Sequence, residues 1–252
     1  VVDSIETLEA KMKAMREAQK IFATFTQEQV DKIFYEAALA ANKQRIPLAK
    51  MAVEETGYGN VQSKIIKHKR KVGGVLHDIR GAKSVGLIER NEETGISKYA
   101  KPVGVVCAIL PATNPTATCG GKAVGILKGR NAVIFKPSSR ALKSTTEAIN
   151  MMRAGLRKVG APEDLIQVLE DPSREAITEL MKVSDLIVAT GSLADALAPI
   201  SDRVGRGGAA GQADVTVSAH VDSYEQGSTA DLHSYAQELE RFLEQARAVE
   251  GV

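Results

Sequence analysis

The sequence predicts an α/β protein with a helical N-terminal region, a doubly wound and mostly parallel sheet, and a C-terminal helix. Apolar residues recur every three or four positions over residues 1–80 and again over 230–249, which is typical of amphipathic helices. From Gly104 onward, short apolar runs alternate with helix-compatible stretches. Strands buried on both faces read as uninterrupted apolar runs, so this alternation indicates a parallel sheet covered by helices.

The N-terminal region divides into three helices before a basic segment. Thr26 followed by Gln29 matches a capping box at the start of the second helix. Pro47 fits the first turn of the third helix, and Gly57 is expected to end it. The basic segment at 64–71 has two interpretations: a nucleic-acid-binding surface, or a solvated helix face with its apolar residues turned inward. The second is favoured, and it places the following residues inside: Ile65, Ile66, Val72 and Val75.

Four apolar runs supply the predicted strands of a Rossmann-like sheet with right-handed crossovers. These runs are Val103–Leu110, Ala132–Phe135, Leu165–Leu169 and Leu186–Ala189. The helices expected between them are Pro115–Leu127, Ala141–Val159 and Ser173–Lys182.

We expect one nucleotide-binding domain over residues 1–218, with a helical lead-in at 1–82 and the sheet at 103–218. The tail, 219–252, contains an amphipathic helix whose apolar seam spans Leu232 to Val249. The seam could pack on the domain or pair with a second chain, so a homo-oligomer is expected.

Composition excludes several classes of protein. Hydrophobic residues make up 44% and the net charge is +2, which argues against disorder and against a nucleic-acid partner. No apolar run is long enough for a membrane span, and the polar start at residues 1–4 gives no reason to expect a signal peptide. With only two cysteines, the expected location is the cytoplasm. The histidines lack metal-ligand spacing and are expected at the surface, with no metal bound: His68, His77, His220 and His233.

Ligands of such sheets bind where strands end, and three junctions carry candidate residues. Asn114 could cap the helix opened by Pro115, or its amide could bind a developing oxyanion. Lys136 could bond ribose or phosphate, or remain a solvated loop lysine. Gly191 and Ser192 could meet a phosphate at a helix N-terminus, although no G-x-G-x-x-G fingerprint is present.

The two cysteines have different expected roles. Cys107 lies within an apolar run and is expected to be a buried, inert thiol. Cys119 lies one helical turn beyond Asn114 and could approach the crevice, but a nucleophilic role for it is not favoured.

Several segments, in this order and spacing, resemble the CoA-acylating acetaldehyde dehydrogenases of the aldehyde dehydrogenase superfamily. The resemblance is greatest to the aldehyde dehydrogenase half of bifunctional aldehyde-alcohol dehydrogenase, and it covers residues 1 to about 192. The segments that carry it are 26–34, 45–57, Pro102–Pro115, Gly129–Ser138, Gly160–Leu165 and Ala189–Ser192.

The resemblance implies an oxidoreductase that converts an aldehyde, CoA and NAD to acyl-CoA and NADH. It implies that Asn114 forms the oxyanion hole and that Lys136 binds the adenosine ribose. It also implies that Pro111 and Thr113 line the nicotinamide end and that Gly191 and Ser192 meet the pyrophosphate. Ser138 is a further cofactor contact that the resemblance implies. Ser139 beside Arg140 leaves room for a 2′-phosphate, so NADP is an alternative to NAD.

The chain departs from the family pattern after the cofactor-binding segments. No cysteine follows Cys119, so the nucleophile that the family places in a later segment is absent from this sequence. We therefore expect a cofactor-binding half that binds nucleotide with little or no aldehyde oxidation. The alternative is a non-catalytic NAD(P)-binding or oligomerising interaction protein derived from the same family.

Overall fold

The structure, a computed structural model, describes residues 5–170 and 174–190. The predicted C-terminal helix and its apolar seam, like Gly191 and Ser192, lie outside the described residues. Among the described residues, no helix combines the length and the apolar character needed to cross a bilayer.

The N-terminal region is helical, as predicted. Its helices are α1 (Ile5–Ala23), α2 (Gln27–Lys43), α3 (Arg45–Thr56), α4 (Val61–His68) and α5 (Val75–Ile79), with a π-helical turn (Lys69–Gly74) joining the last two.

Helix boundaries follow the local residues that the sequence identified. The Thr26 side chain accepts a hydrogen bond from the Gln29 amide at 3.3 Å, and the Gln29 side chain accepts one from the Thr26 amide at 2.9 Å. This reciprocal pairing is the predicted capping box. Gly57 ends α3 with a φ of 69°, a left-handed conformation that costs glycine little.

A separate two-stranded hairpin, which the sequence analysis missed, connects the helical region to the sheet. Strand β1 (Gly86–Asn91) pairs antiparallel with β2 (Ile96–Ala100). Every residue of β1 is exposed and no residue of β2 is fully buried, so neither strand carries the buried apolar run that identified the sheet strands.

The main sheet has four parallel strands. Its strands are β3 (Val105–Ile109), β4 (Ala132–Lys136), β5 (Ile166–Val168) and β6 (Leu186–Ala189), in the spatial order β5-β4-β3-β6. The crossover helices are α6 (Pro115–Lys128), α7 (Leu142–Lys158) and α8 (Arg174–Val183). Strand β3 begins two residues later than predicted, because Val103 is exposed rather than buried.

The strand order reverses direction at β3, which makes the sheet doubly wound, as expected. Helices α6 and α7 pack together and against α2, whereas α8 packs against α1, which also contacts β3 and β4. With right-handed crossovers, this reversal puts helices on both faces of the sheet. All residues of β3 and β5 are buried between these layers.

The basic segment does not have the orientation that the sequence predicted. Ile66 is 53% exposed, whereas Lys64 and His68 are 6% and 1% exposed. Val72 is buried as predicted. The buried positions Lys64, His68 and Val72 are four residues apart, a spacing longer than the α-helical repeat, and they lead into the π-helical turn.

Candidate functional site at the carboxyl edge of the sheet

Three chain segments leave the parallel sheet side by side. Ile109, Lys136 and Ala189, which end β3, β4 and β6, are register partners in one row. Just beyond this row, the Leu110 amide donates to the Lys136 carbonyl at 3.0 Å, and the Thr190 amide donates to the Ile109 carbonyl at 3.1 Å. The following segments therefore begin at the same level.

The strand order reverses at this row. The chain leaves β3 with β4 on one side and β6 on the other, so the crossovers on the two sides run in opposite directions. Such a point opens a crevice outside the carboxyl ends of the strands, where α/β sheets bind their ligands.

Asn114 lies at this crevice, immediately before α6. Its backbone is the N-cap and Pro115 is the first helical residue, but its side chain makes no capping hydrogen bond. Asn114 is thus the N-cap through its backbone, and its side chain does not cap the helix. The residue is 6% exposed, and the structure shows no hydrogen bond from its amide to any described residue. Both N–H groups of the amide remain available to a ligand.

The segment before Asn114 is held by a lysine from the helical region. Pro111 is half-buried and Thr113 is exposed. The Lys64 ammonium donates a hydrogen bond to the Thr113 carbonyl. Burial, and next the charge of nearby Lys67, lower the pKa of Lys64.

The segment after β4 carries the second group of predicted residues. Lys136 is half-buried, and among the described residues its ammonium has no hydrogen-bond or ion-pair partner. The Ser138 hydroxyl accepts a hydrogen bond from the Arg140 amide at 3.4 Å. The Arg140 guanidinium in turn donates to the Tyr58 hydroxyl at 3.1 Å, which links this segment to the loop after α3.

The N-terminus of α7 is already occupied by a carboxylate. Glu55 accepts hydrogen bonds from the backbone amides of Lys143 and Ser144 at 2.7 and 2.8 Å. A carboxylate at a helix N-terminus interacts favourably with the helix dipole. Because Glu55 already accepts the hydrogen bonds of these two amides, they cannot bind a phosphate, and an anion near Lys136 must be bound by other donors.

Lys122 lies on α6 beside the carboxyl end of β6. Its ammonium donates to the Val188 carbonyl at 3.3 Å. Burial lowers the pKa of Lys122 to about 8, with Cys107 opposing this shift and Lys71 adding to it.

Neither cysteine is placed as a nucleophile. Cys107 and Cys119 are both fully buried, Cys107 in β3 and Cys119 in α6. Burial raises the pKa of the Cys119 thiol well above its usual range, which disfavours the reactive thiolate. The expectation that Cys107 is buried is confirmed, and the idea that Cys119 could approach the crevice is wrong.

The prediction that the histidines lie at the surface fails for His68. It is 1% exposed, and neither ring nitrogen has a hydrogen-bond partner among the described residues. Burial, with a smaller contribution from Arg45, lowers the pKa of His68 to about 4, so the ring is neutral near pH 7. In residues 5–170 and 174–190, no three His, Cys, Asp or Glu side chains are grouped to hold a metal ion.

The sheet thus brings the predicted candidates of the first two junctions to one edge, namely Pro111, Thr113, Asn114, Lys136 and Ser138. Sequence reasoning missed Lys64 and Lys122. Their only sequence signal is a lysine among apolar helix positions, which also describes many surface lysines.

Comparison with known proteins places these features in context. An acylating sulfoacetaldehyde dehydrogenase of Bilophila wadsworthia is 82% identical over 190 residues, which are 75% of this chain and 41% of that protein. An acetylating aldehyde dehydrogenase structure from Geobacillus thermoglucosidasius matches with 40% identity and a TM-score of 0.76, over 78% of this chain and 44% of that one. A Rhodopseudomonas palustris propionaldehyde dehydrogenase with bound CoA matches with 25% identity and a TM-score of 0.67, over 84% and 46%.

The chain spans less than half the length of these proteins. The sequence model of the aldehyde dehydrogenase family matches residues 3–198, which include every described element. This match covers most of the chain and agrees with the resemblance found in the sequence. The chain belongs to the aldehyde dehydrogenase family.

Proposed function

We propose that this chain is the nucleotide-binding half of a CoA-acylating aldehyde dehydrogenase and binds NAD at the carboxyl edge of its sheet. The observation that carries the proposal is the register row Ile109, Lys136 and Ala189, which brings the Asn114 and Lys136 segments to the point where the strand order reverses.

The side chains at this edge fit a dinucleotide. The ammonium of Lys136, unpaired among the described residues, can donate to the hydroxyls of the adenosine ribose, with Ser138 beside it. Pro111 and Thr113 line the end of the crevice that would face the nicotinamide. Gly191 and Ser192, which follow β6 in the sequence, are the proposed contacts to the pyrophosphate.

Asn114 is the proposed oxyanion donor. Its amide can donate to the oxygen of an aldehyde carbonyl as negative charge develops there, and a donor already fixed in place needs little reorganisation. Bound NAD supplies the hydride acceptor. Since both cysteines are buried, neither is proposed as the thiol that attacks the aldehyde.

The proposed substrates are CoA and a small aldehyde. The 82% identical relative is named for sulfoacetaldehyde, and another matching structure contains CoA. We therefore propose sulfoacetaldehyde as the aldehyde to test first, with acetaldehyde as the comparison. We also propose that the protein lies in the cytoplasm and forms a homo-oligomer.

Titration with NADH tests nucleotide binding directly. We expect the fluorescence of NADH to rise on binding, and Lys136→Ala to weaken binding by about 10- to 100-fold, since a charged hydrogen bond contributes roughly 1.5–3 kcal/mol. Lys101→Ala is the matched control, because Lys101 is an exposed lysine at the opposite, amino end of β3. No binding by the unaltered chain, or equal losses in both variants, would refute the site.

The same titration with NADPH distinguishes the two cofactors. Glu55 occupies the amides at the start of α7, so we expect NADH to bind at least as well as NADPH. In an assay with NAD, CoA and sulfoacetaldehyde, we expect little NADH formation by this polypeptide alone. Robust turnover that Cys119→Ala abolishes would show that Cys119 is the nucleophile after all.

A further inference from the structure

Lys64 is a buried lysine in a helix whose other lysine is exposed. Lys64 and Lys67 both lie on α4, but only Lys64 is buried, at 6% exposure. Lysine is rarely buried unless its ammonium is paired, because removing the charge from water is costly. The partner here is the carbonyl of Thr113 at the candidate site.

The Thr113 carbonyl belongs to the same peptide unit as the Asn114 amide nitrogen. A peptide unit is planar, so an anchor on the carbonyl oxygen also fixes the direction in which the chain enters Asn114. On the other side, the Asn114 carbonyl accepts a hydrogen bond from the Thr118 amide at 3.1 Å. Both peptide units that flank Asn114 are therefore held, one by Lys64 and one by α6.

This double anchoring replaces a restraint that asparagine usually provides for itself at a helix start. If the Asn114 side chain capped α6, it would restrain its own backbone, but its oxygen would be hydrogen-bonded to the helix and the amide would be held there. The Asn114 side chain makes no such bond. An external anchor on the backbone leaves the amide free for a ligand and still sets the direction of its Cα–Cβ bond.

From this geometry we infer that Lys64 is a positioning residue for Asn114. It holds the backbone peptide between Thr113 and Asn114 so that the side-chain amide of Asn114 faces the crevice. The catalytic meaning of this role rests on the proposed function, in which the amide binds the aldehyde oxygen. The geometric role itself does not depend on a bound cofactor.

Backbone ¹⁵N relaxation of the full chain tests the inference. In the unaltered protein we expect the backbone N–H of Asn114 to be rigid, with an order parameter of about 0.85. In Lys64→Met we expect this order parameter to fall below about 0.6. Methionine keeps the length and packing of the stem but removes the donor. Lys67→Met is the matched control and should leave Asn114 rigid. Asn131, whose side chain bonds the amides of Val103 and Gly104, should stay rigid in every variant.

Two results would overturn the inference. One is an unchanged order parameter of Asn114 in Lys64→Met, and the other is an equal loss at Asn131, which would indicate general loosening instead of a local anchor. If the methionine variant does not fold, Lys64→Leu replaces it with the same expected loss, since leucine carries no donor for the Thr113 carbonyl. NADH titration of the unaltered chain separately tests the proposed function, so the two can fail independently.

Discussion

The carboxylate of Asp185 fills the space that a side chain on Gly104 would need. A Cβ on Gly104 would lie 2.7 Å from Cγ of Asp185, and Gly104 has a φ of +133°. Asp185 is fixed there because it accepts hydrogen bonds from the Val105 amide at 2.7 Å and from Arg16 at 2.8 Å. This contact joins the start of β3 to the segment before β6 and to α1.

Gly104→Ala is expected to destabilise the fold by roughly 2–5 kcal/mol, since it combines an unfavourable φ with a steric clash. Urea unfolding would measure the loss. Gly73→Ala is the control, because Gly73 has no positive φ and no atom within 4 Å of the added Cβ. A loss below about 1 kcal/mol for Gly104→Ala would contradict the packing described here.

The ion pair between α2 and α6, of which only the lysine is buried, should stabilise the fold more than an exposed pair does. The Lys128 ammonium, on a side chain only 5% exposed, lies 2.6 Å from the Asp31 carboxylate and over the ring of Phe34. Asp31→Ala should cost roughly 2–3 kcal/mol, because the buried Lys128 ammonium loses its only carboxylate among the described residues and keeps the Arg80 carbonyl at 3.3 Å. Glu89→Ala breaks the exposed pair with Lys98 and should cost about 1 kcal/mol or less. Similar losses in urea unfolding for both variants would contradict this ranking.

His68 should make the fold less stable in acid. Its pKa is about 4 in the folded protein against 6.5 for an unperturbed histidine, so the unfolded chain binds the proton first. The contribution of neutral His68 to the free energy of unfolding is fully present above pH 6.5. It is lost as the pH falls toward 4, and the loss is about 3 kcal/mol.

Urea unfolding between pH 7 and pH 4 would measure this loss. His68→Leu should flatten the pH dependence, whereas His77→Leu, which alters an exposed residue, should leave it unchanged. Equal slopes for the unaltered protein and His68→Leu would show that His68 is not the responsible group.

The two thiols should be unreactive in the folded protein. Both cysteines are fully buried, and the raised pKa of Cys119 disfavours its thiolate. A disulfide reagent such as DTNB should therefore react only after urea unfolds the chain. Rapid release of one equivalent from the native protein, lost in Cys119→Ala, would show that this thiol reaches solvent.

The sequence predicted elements whose determinants are local. Thr26 and Gln29 specify a helix start within four residues, and the apolar runs at Ala132 and Leu186 form the expected strands. It failed around Lys64 and His68, because the inserted π-helical turn breaks the α-helical repeat used to assign the buried face. The role of Lys64 also depends on a contact with Thr113, 49 residues away, which no local pattern reveals.

The site was predictable to the level of its strand ends and not beyond. Consecutive strands of such a sheet are usually neighbours, so Asn114 after β3 and Lys136 at the end of β4 were expected at one edge, and the register confirms that the two strands pair. That Glu55 occupies the start of α7 depends on how α3 packs, which the sequence pattern does not encode.

The level row formed by Ile109, Lys136 and Ala189 has a consequence for how ligand preference can diverge. Backbone pairing between the strands fixes where this row lies along the sheet. Insertions or deletions in the segments that rise from it can deepen or narrow the cleft while every strand keeps its partners. Proteins built on such a sheet can therefore change ligand preference through their connecting loops while the core stays the same.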